Sequence, residues 1–142
     1  MQILVASNGS ANAERAVGFA ARVARFLDAK LTILTVSSEI VSSKLRRMSQ
    51  IEREAPSEVI AAEARSKLVR AQRVAENAGL PNAQIKAASG DSAETILEVA
   101  KASKSDLIVV GKGQHDLWAD LFQHRTSQKV VESSCCPVVV VP

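Results

Sequence analysis

Three short runs in this chain are apolar at every position: Ile3-Leu4-Val5-Ala6, Leu107-Ile108-Val109-Val110 and Val138-Val139-Val140-Val141. A strand with one face in water alternates apolar and polar residues. A run without alternation reads as a strand covered on both faces. Such strands belong to parallel sheets held between two layers of helix. Turn residues close the first run at Ser7-Asn8-Gly9-Ser10, and glycine closes the second at Gly111.

The segments between these runs have helical spacing. Ala13, Val17, Ala20, Ala24 and Leu27 recur in steps of three and four and form one stripe, with Ser10 as N-cap. Lys30 to Val36 is rich in β-branched residues and reads as a second strand. The polar, basic stretch from Ser37 to Ala55 reads as loop with a short helix. A long helix starts at Pro56 with the stripe Ile60, Ala64, Leu68, Ala71, Ala75 and Ala78. Gly79 and Pro81 end it. Gln84 to Ala88 is a weak third strand. Asp91 with Glu94 three residues on opens a further helix carrying Ile96, Leu97 and Ala100. A last helix, near Ser127 to Ser133, precedes the closing strand. The order β-α-β-α-β-α-β-α-β predicts a three-layer α/β/α domain with a doubly wound, five-stranded parallel sheet. Its crossovers should be right-handed.

Composition narrows the rest. The 142 residues, 46% hydrophobic and 23% charged, suit one globular domain spanning 1–142 and exclude disorder and a coiled coil. Aromatics are 3%, so Ala, Val, Ile and Leu must build the core. The net charge of +3 is too weak to argue for nucleic acid. Lys44 to Arg73 holds eight basic and four acidic residues with no aromatic among them, and reads as a solvated helix face. No apolar run is long enough to span a membrane, and no secretory pattern opens the chain. A cytoplasmic protein is expected. Cys135 and Cys136 are adjacent, where a disulfide is strained, so two reduced, mostly buried thiols are expected.

In a doubly wound sheet, ligands bind outside the carboxyl ends of the strands where the strand order reverses. That singles out Ser7 to Ser10, the residues after Val36, and Gly111 onward. Other candidates read as structural. His115, Asp116, Asp120 and His124 have no fixed ligand spacing, and no metal is expected. Cys136 precedes a strand proline and reads as packed against the sheet edge rather than as a nucleophile. Ser7 and Ser10 lack a nucleophile elbow. Trp118 and Phe122 lie four apart, so that segment reads as a helical turn. They read as packed on the sheet, with a partner anchor at Trp118 as the sharper reading.

Taken in order, four segments resemble the universal stress protein family over essentially the whole chain. Ile3 to Ser10 is similar to its opening strand and Asp-Gly-Ser turn. Gly90-Asp91 is similar to the segment after its third strand. Ser105 to Gly111 resembles its fourth strand, and Cys136-Pro137-Val138-Val139-Val140-Val141 its closing Cys-Pro-Val strand. The resemblance implies an adenine-nucleotide alpha-hydrolase-like fold and a homodimer through Val138-Val141. An apolar edge strand also favours pairing with a second copy, with prolines at both ends limiting its extent.

Members of that family that bind ATP carry a loop of Gly-x-x-Gly, nine residues, then Gly-Ser/Thr. Glycines let backbone amides close on phosphates, and a helix N-terminus receives the anion. Here Gly111 matches the first glycine, but Gln114, His124 and Arg125 stand where the other Gly, Gly and Ser/Thr belong. Ser127 keeps a hydroxyl two positions on. Asn8 stands where binders have Asp. A Cβ at a close-approach position blocks space, whereas Lys112, Arg125, His115 and His124 could hold an anion by side chains. The leading expectation is a regulatory or binding module of the stress response, not an enzyme, without tight ATP binding and with no cofactor. The alternative is an ATP- or AMP-binding member with Asn8 and Val36 near base and ribose, and Gly111, Gly113, Thr126 and Ser127 near phosphates. A doubly wound enzyme of another kind is the third reading.

Overall fold

A computed structural model describes the backbone of residues 1–37, 56–112 and 120–142, and the side chains of 1–37, 62–112 and 126–142. Among the described residues, nine elements follow in the expected order. They are β1 (Gln2–Ala6), α1 (Ala11–Leu27), β2 (Lys30–Ser37), α2 (Pro56–Asn77), β3 (Gln84–Ser89), α3 (Ser92–Ala102), β4 (Leu107–Gly111), α4 (Asp120–Ser133) and β5 (Val138–Val141). The strands form one five-stranded sheet in the order β3-β2-β1-β4-β5, every pair parallel.

The two-sided burial expected of the apolar runs holds for β1 and β4. Ile3, Leu4, Val5, Ile108 and Val109 are completely buried. Because side chains alternate along a strand, Ile3 and Val5 face α1 and α2 while Leu4 faces α3 and α4. One core joins Ile3, Val5, Ile33 and Val109 to Ala16, Val17 and Ala20 of α1 and to Leu68, Ala71 and Ala75 of α2. The other joins Leu4, Leu34, Ile108 and Val110 to Ile96, Val99 and Ala100 of α3 and to Val130 of α4. Helices thus cover both faces of the sheet.

The outer strand β5 departs from that expectation. Its valines are half-buried or exposed, because an edge strand has a neighbour on one side only. The weak third strand lies at the opposite edge, where Ile85 is exposed.

The helix ends follow local chemistry. The Ser10 hydroxyl accepts from the Ala13 amide at 3.1 Å, and Asp91 accepts from the Glu94 amide at 3.1 Å. Gly79 takes φ +94° just past α2. There its N–H reaches the Glu76 carbonyl and that of Leu80 the Ala75 carbonyl, both at 2.9 Å, a Schellman end. The last helix begins at Asp120, seven residues before the Ser127 start read from the sequence.

Candidate functional site

The strand order reverses between β1 and β4, both of which end at the same side of the sheet. Beyond those ends lies a cleft of about 440 Å³. Its floor is Ala6, Ser7, Asn8 and Ser10 after β1, and Val110 and Gly111 at the end of β4. Leu34 and Val36 of β2 form an apolar flank, and Ile96 of α3 lies opposite. Glu63, Ala64 and Lys67 of α2 make a wall, and Thr126 and Ser127 of α4 complete the lining. Of the six residues expected at a nucleotide site, Asn8, Val36, Gly111, Thr126 and Ser127 come together here. Gly113 lies outside the described residues, as do Gln114, His115, Asp116 and Trp118. The side chains of Asp120, Phe122, His124 and Arg125 lie outside them too.

The turn after β1 is tightly organised. Ser7 is buried; its amide donates to the Leu34 carbonyl at 2.8 Å and its carbonyl accepts from the Thr35 hydroxyl at 3.0 Å. Its own hydroxyl accepts from the Gly9 amide at 3.4 Å, so Ser7 braces the turn. Gly9 takes φ +83°, a conformation that side chains rarely adopt. A Cβ there would come within 3.1 Å of the Lys67 side chain, so the Lys67 stem lies directly over the turn. Asn8 is exposed, and its Oδ1 accepts from the Ser10 amide at 3.0 Å, an Asx turn.

The Gly111 end of the cleft is held by packing and a side-chain bond. A Cβ on Gly111 would meet the Asn12 backbone at 3.0 Å, so this glycine makes room for the first turn of α1. The Ser127 hydroxyl donates to the Gly111 carbonyl at 2.9 Å. Because α4 begins at Asp120, residues 126 and 127 lie in its second turn. Amides there are committed to the i→i−4 ladder; only the first four of a helix are free. The sequence expectation of a helix start near Ser127 is therefore corrected: the helix already runs from Asp120.

Lys67 and Glu63 were missed as site residues. They sit on a charged helix face read as solvated, and only the packing of α2 against the sheet brings them over the β1 turn. Glu63 and Lys67 pair loosely at 3.9 Å. Cys135 is exposed, which corrects the expectation of a buried thiol, since it lies in the bend between α4 and the edge strand β5. Cys136 is half-buried against the α3–α4 core, as expected. Among the described residues there is no cluster of three or more metal-ligating side chains, and no helix long and apolar enough to cross a membrane.

This is the arrangement of a doubly wound α/β protein with a crevice at its switch point. The family model described as the universal stress protein family matches residues 1–142, and the chain belongs to that family. A curated universal stress protein of Thermus aquaticus, from the QAH/OAS sulfhydrylase 3′ region, is 39% identical over 77 residues. That match covers 54% of this chain and 56% of the relative, so it spans little more than half of either. Among solved structures, the universal stress protein UspA from Lactobacillus plantarum overlays with a TM-score of 0.78 at 25% identity, covering 100% of this chain and 97% of that one. A universal stress protein in complex with cAMP overlays with a TM-score of 0.73 at 24% identity, covering 100% and 96%.

Proposed function

We propose that this chain is a regulatory binding module of the stress response that does not hold ATP tightly and performs no chemistry of its own. One observation carries the reading. The helix Asp120–Ser133 runs through positions 124 and 125, where the second half of a phosphate loop would lie, and the Ser127 hydroxyl is spent on the Gly111 carbonyl. Backbone amides and a hydroxyl that would face a triphosphate are satisfied inside the protein. A cytoplasmic setting and signalling through protein partners fit this reading. So does a homodimer through Val138–Val141, because β5 is an open edge and Val140 on it is exposed.

A second reading keeps AMP or ATP in the cleft. What favours it is the base half of the site: the Asn8 turn, the apolar flank of Leu34 and Val36, and a volume that admits a nucleoside. The structural neighbour in complex with cAMP supports it as well. Calorimetric titration of the protein with Mg-ATP, AMP and inorganic phosphate at moderate salt separates the two. The first reading expects no ATP binding at micromolar concentration. Micromolar ATP binding would replace it with the second.

A further inference from the structure

We infer that the cleft selects a purine carrying a 6-oxo group, as nucleoside or nucleoside monophosphate, over its adenine counterpart, with Asn8 and Lys67 as the selecting residues. The inference rests on the second reading above, that the cleft takes a nucleotide at all.

The argument starts from the amide of Asn8. Its two ends differ, one accepting and the other donating. The end facing the Ser10 N–H must be Oδ1, because only an acceptor can meet that donor at 3.0 Å. The assignment is therefore fixed by the turn. Asn8 makes no other hydrogen bond among the described residues, so the atom it has left for a ligand is Nδ2, a donor. An aspartate in the same turn would satisfy Ser10 equally well and leave an oxygen, an acceptor. The single change from carboxylate to amide inverts what this lip of the cleft offers.

Lys67 reinforces the inversion. Its stem crosses Gly9, the next residue, with Cγ 3.1 Å and Cε 3.7 Å from where a Cβ would stand. The ammonium is thus carried beside the Asn8 turn, and it too can only donate. The carboxylate on this wall, Glu63, pairs loosely with Lys67, at 3.9 Å and one helical turn away. Two neighbouring donors, one of them cationic, match two neighbouring acceptors. The edge of a 6-oxopurine offers this pair, O6 and N7, whereas adenine offers N7 beside the N6 amine, a donor. An adenine amine set against Asn8 Nδ2 would leave two donors facing each other, a repulsive element that rejects the wrong base. The flat apolar flank of Leu34 and Val36 suits either purine and discriminates neither.

Calorimetric titration of the full chain with IMP, GMP and AMP tests this, alongside Asn8→Asp and Lys67→Met. Asn8→Asp keeps the acceptor for Ser10, and Lys67→Met keeps an apolar stem over Gly9, so both variants should fold. The expected result is IMP and GMP binding about tenfold more tightly than AMP, the scale of one well-placed base contact. Asn8→Asp should erase or reverse that preference, and Lys67→Met should weaken it. AMP binding as tightly as IMP to the native protein overturns the inference and leaves the nucleotide reading standing. A preference that survives Asn8→Asp unchanged also overturns it. No heat from any of the three at millimolar concentration overturns both.

Discussion

Ser127 on α4 donates its hydroxyl to the carbonyl of Gly111 at the end of β4, over 2.9 Å and sixteen residues of chain. The bond is part-buried and pins the helix to the strand that forms the cleft floor. Removing the hydroxyl leaves a carbonyl without its donor. Ser127→Ala should therefore lower unfolding stability by about 1 kcal/mol, measured by urea denaturation. If the hydroxyl serves the fold and not a phosphate, any nucleotide affinity should stay within about twofold, half the size of a typical net hydrogen bond.

Restoring the missing cradle should create what the chain lacks. The triple variant Gln114→Gly, His124→Gly and Arg125→Ser removes two side chains, shortens a third and favours a later start for α4, since glycine costs about 1 kcal/mol in a helix interior. Mg-ATP affinity should rise at least about tenfold, the value of one charge-assisted bond from a freed amide. Calorimetry reads the gain and circular dichroism confirms that the variant is folded. A folded variant with no gain counts against the reading proposed above.

The free edge of β5 has a defined polarity. The carbonyls of Pro137 and Val141 accept from Ile108 and Lys112 of the β4 side, at 3.0 and 2.8 Å. With a period of two, the amides of Val138 and Val140 point outward. Val140→Pro removes one outward donor and leaves the bonds to β4 in place. If copies pair along this edge, the variant should sediment as a monomer with an unchanged circular dichroism spectrum. A native protein that sediments as a monomer would remove the pairing altogether.

The two adjacent thiols should react at different rates. Cys135 is exposed, whereas Cys136 is half-buried, and its amide, carbonyl and sulfur all contact the Ser134 hydroxyl. Titration of the native protein with a chromogenic disulfide should give one fast and one slow equivalent. Cys135→Ser should abolish the fast one. Two equally slow thiols would contradict the exposure.

Most of the frame was legible in the chain because it rests on local rules. Uninterrupted apolar runs placed β1 and β4, Ser10 and Asp91 capped the helices they precede, and Gly79 ended α2. The edge position of β5 also agrees with the expectation. What local rules could not supply was the wall of the cleft. Lys67 and Glu63 look like any charged pair four apart on a solvated helix, and their place over Gly9 is a product of tertiary packing. The start of α4 was missed for a related reason. A polar stretch with histidines carries little periodicity, so the residues marked the helix only near Ser127 to Ser133, apart from the four-residue spacing of Trp118 and Phe122. Cys135 was misjudged because cysteine is usually buried, and a bend before an edge strand has no second layer to bury it.

The buried face of α1 consists of Ala13, Ala16, Val17, Gly18, Ala20, Ala21 and Ala24, side chains that reach scarcely beyond the backbone. A helix seated that closely has no slack. Any larger residue on the face lifts it off the sheet, and a dense interior resists such intrusion. The rim of the cleft carries no such constraint: Asn8 is exposed, and a carboxylate in its place would keep the bond from the Ser10 amide. The architecture can therefore stay fixed while the chemistry of its mouth changes by a single atom.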